Sequence, residues 1–206
     1  MLFRSVAAGM RGEKVAMFLF DEHLGTLFAR SKGIGMDLTA SVSEGLLTVQ
    51  AIDPMELSPG KFAHLVQSSV GQGASMIVID SLTGYMTSMG DQGHLTLQIR
   101  NLLSFLAERN VATVLVSVQH GLLGAADAQG ENLSYIADNV VLLRYYEHRG
   151  DVRRALSVFK RRAGPHERTI RDIEFSRSGI GVGPPLTQFR GVLSGEPVLE
   201  SGQVDG

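Results

Sequence analysis

Two apolar segments of the chain end in carboxylates that can serve acid–base or metal chemistry. MIVIDS delivers Asp80 after four apolar residues, and VAMFLFDE delivers Asp21 and Glu22 in the same way. Ligands of open α/β sheets bind beyond the carboxyl ends of the strands, so we expect these acids to meet at one edge. Asp80 can hold Mg²⁺ there through a water, and one of the other acids can polarise an attacking water.

Each of these acids also has a structural interpretation. Asp80 can cap its strand or the turn that follows, and the isolated segment does not separate this role from metal binding. Asp21 and Glu22 can open the next helix, where acids complement the helix dipole, and without Asp80 this interpretation is favoured. Three neighbouring carboxylates repel one another unless a cation or proton intervenes. Their convergence therefore favours a site.

Two further groups of polar residues are candidates for phosphate contacts. VLVSVQH ends in Gln119 and His120, which can sense a phosphate or orient a water, although a lone histidine more often bonds a neighbouring loop. Seven lysines and arginines lie between positions 153 and 171, and the period of two places Lys160 and Arg162 on one strand face. Such a pair suits a polyphosphate, particularly one bound by a neighbouring subunit. Taken alone, an edge strand charged against aggregation is the favoured explanation.

The elements that position these residues follow from the hydrophobic pattern. Near-continuous apolar runs alternate with stretches of helical period, which is typical of a mostly parallel sheet flanked by helices. Ser58 and Pro59 form a helix start, and Leu95 begins a leucine-rich stripe of helical spacing. Segments in the last third, such as the alternating 172–175, predict antiparallel strands at one edge of the sheet. We expect one domain over residues 1–182 and a loosely packed C-terminal arm over 183–206.

Composition excludes several classes of function. The 206 residues carry 19 basic and 21 acidic side chains, a net charge of −2, which removes the bulk electrostatic argument for nucleic acid or anionic membranes. There is no cysteine, so disulfides and thiolate metal sites are excluded. No apolar run approaches the length of a membrane span, and the N-terminus lacks a signal-peptide layout. We expect a cytoplasmic protein without membrane contact.

In order along the chain, VAMFLFDE, GIGMDL, MIVIDSLTGY, VLVSVQHG and the stretch from 138 to 175 resemble the KaiC family of RecA-type ATPases. The similarity is greatest to the C-terminal ATPase domain of that family. The resemblance implies a RecA-like core, ATP and Mg²⁺ as ligands, and rings of identical subunits, typically hexamers, with nucleotide at their interfaces. It also implies a function in signal transduction, with signalling proteins as further partners.

The resemblance also assigns roles to individual residues. Asp80 falls on the Walker B acid, and Asp21 with Glu22 on the paired catalytic acids. Lys160 and Arg162 fall on the pair that reaches the phosphates of a neighbouring subunit. Some members of the family autophosphorylate a serine and the adjacent threonine.

The chain departs from the family pattern at three points. Ser134 matches the phosphorylated serine, but Tyr135 replaces the threonine, so autokinase chemistry is in doubt and Ser134 is a candidate phosphosite only. Asp21 is one methylene shorter than glutamate. The phosphate-loop pattern G-x-x-x-x-G-K-[ST] does not occur, and Met1 falls just after its place in the family. We therefore expect the first strand and the P-loop to be absent, as in a fragment of a longer protein.

Three functions are compatible with this pattern. The first is a Mg²⁺-dependent ATPase module that assembles into rings. The second is a signalling or scaffold module of the same fold that binds a partner without turnover. The third, recombinase-like DNA binding, rests on fold analogy alone and is ranked last, since net charge and scarce aromatics argue against it.

Overall fold

The computed structural model describes residues 11–53, 57–88, 92–117, 136–177, 179–192 and 198–199. The predictions for Gln119, His120 and Ser134 lie outside these residues. Two compact units divide the chain, one ending at residue 118 and the other beginning at 119. Among the described residues, no helix is long and apolar enough to cross a membrane.

Within its described residues, the first unit contains four strands and five helices, with one or two helices between successive strands. Its strands are β1 (Val15–Leu19), β2 (Leu47–Ala51), β3 (Met76–Asp80) and β4 (Ala112–Val116). Its helices are α1 (Leu24–Gly33), α2 (Thr39–Ser43), α3 (Pro59–Gly71), α4 (Leu82–Ser88) and α5 (Gln92–Glu108).

All four strands of the first unit are parallel, in the order β2-β1-β3-β4. Every residue of β1 is buried, and so are the first four of β3. Strands of this kind are covered on both faces, which is why their sequences are apolar without alternation. Phe62 of α3 packs edge-on against Phe18 of β1, with ring centroids 5.4 Å apart. The predicted α/β class with a parallel core is confirmed.

The helices of this unit begin and bury residues as their sequences predict. Ser58 has extended backbone, and its hydroxyl accepts a hydrogen bond from the Lys61 amide at 3.4 Å, with Pro59 in the first turn. This is the expected N-cap. The stripe of α5 is also confirmed, since Leu95, Ile99 and Leu106 are each at most 2% exposed.

The second unit is an antiparallel sheet in the order β5-β6-β7-β8. Its strands are β5 (Asn139–His148), β6 (Asp151–Arg161), β7 (Arg171–Ser176) and β8 (Gly179–Pro185), followed by the short pair β9 (Phe189–Arg190) and β10 (Val198–Leu199). Arg149 and Gly150 join β5 to β6 with φ values of 53° and 82°, as a tight two-residue hairpin requires. Antiparallel strands in the last third are thus confirmed, and those described form a sheet of their own.

Two features of this unit differ from a simple alternating pattern. Adjacent Asp172 and Ile173 are both buried, while Glu174 and Phe175 are both exposed, so the predicted alternation along 172–175 is wrong. Asp172 can be buried because hydrogen bonds satisfy its carboxylate.

The predicted domain boundary at residue 182 lies within β8 and stays a prediction. Val192, beyond that boundary, is fully buried in the core of the second unit.

Candidate functional site

The ends of β1 and β3 bring the three candidate carboxylates together. Leu19 pairs with Asp80 in the parallel register of the two strands, and the Phe20 amide donates to the Asp80 carbonyl at 2.7 Å. Asp21 and Glu22 therefore leave β1 beside the end of β3. We call Asp21, Glu22 and Asp80 the acid edge.

Asp80 has an environment that disfavours its charged form. Burial raises the pKa of its carboxyl, and the negative charges of Glu22 and Asp21 raise that pKa further, while the Arg30 guanidinium lowers it. Desolvation is the largest of these effects. An additional cation would stabilise the charged form of this carboxylate, because it offsets both the lost hydration and the repulsion from the neighbouring acids.

Asp21 is fixed by the start of α4. The Ser81 hydroxyl donates to the Asp21 carboxylate and accepts a hydrogen bond from the Gly84 amide at 2.9 Å. A Cβ atom at position 84 would lie 2.6 Å from Asp21 Oδ2 and 2.7 Å from its Cγ. Only glycine leaves room for the carboxylate in this place. Asp21 is therefore held by both a hydrogen bond and a close approach of backbone.

Glu22 is held by a different partner. Arg30, in the last turn of α1, donates from Nη2 to Glu22 Oε2 at 2.6 Å. The Glu22 side chain is 21% exposed and that of Arg30 is 51% exposed. The two adjacent acids that follow β1 thus have separate surroundings, a hydroxyl for Asp21 and a guanidinium for Glu22.

Sequence reasoning did not identify Ser81, Gly84 or Arg30. A serine directly before a helix is an N-cap signal, which would have placed the Ser81 hydroxyl on the amide of Gly84. The contact of that hydroxyl with Asp21 has no signal in the sequence. Arg30 stands eight residues after Glu22, and no sequence pattern links the two.

The acid edge has the donor atoms that Mg²⁺ prefers, carboxylate oxygens on a partly desolvated surface. Within the described part of the chain, no three His, Cys, Asp or Glu side chains are close enough to form a metal cage. Nucleotide-bound Mg²⁺ takes only one or two carboxylates from the protein, the rest of its ligands being water and phosphate. A single aspartate in an excess of negative charge therefore fits this ion.

Lys160 and Arg162 lie in the second unit, at the end of β6. Lys160 Nζ donates to the Ala137 carbonyl at 2.9 Å, and Arg162 pairs with the Asp138 carboxylate at 2.8 Å. The Arg162 amide also donates to the Asp138 carbonyl at 2.7 Å. The two cations thus contact two adjacent residues, Lys160 the first and Arg162 the second, and these residues directly precede β5.

A buried polar network lies elsewhere in the second unit. The Tyr146 hydroxyl donates to Asp172 Oδ1 at 2.8 Å, and Arg153 pairs with the other carboxylate oxygen. Burial and the bond to Asp172 raise the pKa of Tyr146 to about 12. These hydrogen bonds make the burial of Asp172 possible, so we assign the network a structural role.

Comparison with known proteins gives matches over most of the chain. The family model described as ATPase: KaiC matches residues 3–187. The circadian clock protein KaiC3 of Synechocystis sp. is 27% identical over 188 residues, which cover 91% of this chain and 37% of that protein. The circadian clock oscillator protein KaiC of Thermosynechococcus vestitus is 23% identical over 188 residues, covering 91% of this chain and 36% of its own.

The same oscillator protein from Synechococcus elongatus is 23% identical over 186 residues, which cover 90% of this chain and 36% of that protein. The chain therefore spans a little over a third of the length of these curated relatives. The matches confirm the resemblance drawn from the sequence motifs.

Proposed function

Because the chain belongs to the KaiC family of ATPase domains, we propose that it binds ATP together with Mg²⁺ and hydrolyses the terminal phosphate at the acid edge. Membership of this family implies nucleotide binding. The observation that carries the proposal is the acid edge itself, where three carboxylates at the ends of paired strands lie together, with Arg30 beside them. Such an arrangement is unfavourable unless it serves a cation or a proton.

Each acid has a separate task in this proposal. Glu22 is the general base, which takes a proton from water as the water oxygen attacks the terminal phosphorus and the bond to the leaving diphosphate breaks. Asp21, fixed by Ser81, orients that water and keeps its own carboxylate in place. Asp80 would hold Mg²⁺, which when bound neutralises charge on the phosphates.

The cations of the second unit suit the phosphates of a neighbouring identical subunit. Lys160 and Arg162 contact a backbone carbonyl and a carboxylate, both of which a phosphate can replace as acceptor. We infer that they exchange these partners for the nucleotide of the next subunit in a ring, with a hexamer as the expected size. In the longer proteins of the family, this cycle would serve signal transduction.

A binding module of the same fold that does not turn over ATP is the second candidate. One observation favours it, the shorter side chain of Asp21 where the family has glutamate. Such a module would still use the fold to recognise a signalling partner.

Steady-state ATPase measurements on Glu22→Gln and Asp80→Asn separate the two candidates. We expect Glu22→Gln to lose about 10²- to 10⁴-fold in kcat, the contribution typical of one positioned base. Asp80→Asn should also lose activity, because it weakens the hold on Mg²⁺. Glu44→Gln, which removes an exposed acid of the same unit, is the control and should match the wild type. Equal turnover by Glu22→Gln and wild type would contradict the hydrolytic assignment, and Mg·ATP binding without turnover would favour the second candidate.

Mixing variants tests the contribution from the neighbouring subunit. Lys160→Ala should damage the site of a neighbour and leave its own acid edge intact, whereas Glu22→Gln damages its own site. A mixture of the two therefore contains some complete sites, and its activity should exceed the sum of the separate residual activities. Strictly additive activity would count against supply of Lys160 from a neighbour.

A further inference from the structure

The ion pair between Arg30 and Glu22 has a cost for the reaction that we propose. A general base needs a free lone pair on the oxygen that receives the proton. Arg30 Nη2 lies 2.6 Å from Glu22 Oε2, a short charge-assisted hydrogen bond. This bond occupies a lone pair of Oε2 and ties the carboxylate to α1, so Glu22 is not free to turn toward an attacking water. In this geometry Glu22 is restrained rather than ready.

We propose that Arg30 is a positioning residue that acts as a brake on Glu22, and that hydrolysis requires the ion pair to open. The inference rests on the proposed function, because it assigns regulation to the same acid edge. Arg30 is held in the last turn of α1, so any event that moves this turn or offers Arg30 another anion releases Glu22.

The exposure of the two partners shows which of them can leave. Glu22 is 21% exposed, whereas half of the Arg30 side chain is in contact with water. A half-exposed guanidinium can rotate into solvent or onto a phosphate or carboxylate of another molecule, since its planar donor set fits either. Salt also weakens exposed ion pairs of this kind. The formed and the broken pair therefore differ by only about 1 kcal/mol or less in free energy.

The contrast with Asp21 supports a specific role for this pair. Asp21 is tied to Ser81 and packed against Gly84, which fixes it to the start of α4. Its neighbour Glu22 is tied to a flexible side chain at the far end of another helix. The site thus joins one acid held by a hydroxyl at the start of α4 to one that the rotation of an arginine side chain sets free.

Arg30→Gln removes the cation and keeps a side chain of similar length. We expect its kcat for ATP hydrolysis to rise about twofold to fivefold over wild type, the factor that corresponds to opening a half-exposed ion pair. Arg30→Lys keeps the positive charge and should stay within about twofold of wild type. Lys32→Gln is the matched control, since it removes the same charge from an exposed position of the same helix and should leave kcat unchanged.

The dependence of kcat on salt distinguishes the brake from a purely structural role of Arg30. The kcat of the wild type should rise between 50 mM and 500 mM NaCl as the pair is screened, whereas that of Arg30→Gln should stay flat. The double variant Arg30→Gln with Glu22→Gln should be no faster than Glu22→Gln alone, because opening the pair gives no gain without the base at position 22.

The outcomes distinguish the brake from the ATPase proposal. A lower or unchanged kcat in Arg30→Gln, with Glu22→Gln inactive, overturns the brake and leaves the ATPase proposal standing. Wild-type activity in Glu22→Gln overturns the general base and the brake together, and so does the absence of turnover in both the wild type and Arg30→Gln. A faster Arg30→Gln whose gain disappears with Glu22→Gln supports both proposals.

Discussion

Replacing Gly84 by alanine tests the geometry of the acid edge. The added Cβ would lie 2.6 Å from Asp21 Oδ2, about 1 Å inside ordinary contact, so one of the two groups must move. The Gly84 backbone is part of α4, whereas Asp21 is exposed and has a rotatable side chain. We therefore expect the carboxylate to swing away and to lose its bond to Ser81.

The magnitude follows from two opposing contributions to the free energy of unfolding. Alanine stabilises a helix over glycine by up to about 1 kcal/mol. Loss of the hydroxyl–carboxylate hydrogen bond costs about 1 to 2 kcal/mol, the lower part of the range for charged groups because Asp21 is exposed. With a helical gain of about 0.5 to 1 kcal/mol, the net change in Gly84→Ala should thus be a loss of about 0 to 1.5 kcal/mol.

Gly60→Ala is the matched control for this substitution. Gly60 lies in the first turn of α3, and no atom would come within 4 Å of its added Cβ. This variant should only gain the helical contribution, about 0.5 to 1 kcal/mol. The two alanine variants should differ by about 1 to 2 kcal/mol, or several degrees in Tm.

Urea unfolding followed by far-ultraviolet circular dichroism measures both variants. The chain has no tryptophan, so fluorescence is a poor substitute. A Gly84→Ala protein stabilised as much as Gly60→Ala would refute the close approach of Gly84 to Asp21. ATPase activity should fall in Gly84→Ala and not in Gly60→Ala, because only the first displaces Asp21.

Three further predictions concern pH and packing. Burial raises the pKa of Asp80, so its ionisation opposes folding, and stability is lost as pH rises from about 4 through the raised pKa. Asp80→Asn should be more stable than wild type in urea at pH 7 and equal to it near pH 3, and a less stable variant at pH 7 would contradict this. Tyr146→Phe should lose about 1 to 3 kcal/mol, because Asp172 keeps its burial and loses a donor. Since the pKa of Tyr146 is raised to about 12, the stability of the wild type should fall between about pH 10 and 12. Unfolding measured over this pH range should show no such fall in Tyr146→Phe. Phe62→Ala should lose about 3 to 5 kcal/mol, since its ring is fully buried, and a smaller loss in thermal unfolding would refute its central place in the core.

Much of the first unit could be predicted from its sequence because its signals are local. The short unbroken apolar run of β1 favours a strand buried on both faces. Ser58 with Pro59 marks the start of α3 by simple chemistry. The meeting of Asp21 with Asp80 also follows, since parallel neighbours deliver their last residues to one edge.

The partners of the acids could not be predicted, because they depend on how the helices leave the sheet. Whether Ser81 bonds to Asp21 depends on the path of the chain from β3 into α4. Whether Arg30 reaches Glu22 depends on the direction of α1 over its full length. Neither is encoded in a short pattern of residue types.

In the second unit, the sequence pattern failed where polar groups are buried. Alternation predicts a half-exposed β7, yet Asp172 is buried because Tyr146 and Arg153 supply its hydrogen bonds. The Gly- and Pro-rich segment after it has weak periodicity, so the burial of Val192 had no signal. A long-range hydrogen bond or a single buried side chain leaves no repeat in the sequence.

Titration calorimetry of the chain with ATP, in the presence and absence of Mg²⁺, tests the central claim most directly. If the acid edge serves a metal-bound nucleotide, the affinity for ATP should require Mg²⁺ and should fall at least about tenfold in Asp80→Asn, the equivalent of one charge-assisted interaction. The control Glu44→Gln should bind as the wild type does. Equal affinity with and without Mg²⁺, or an unchanged affinity in folded Asp80→Asn, would contradict the assignment of a nucleotide site to the acid edge.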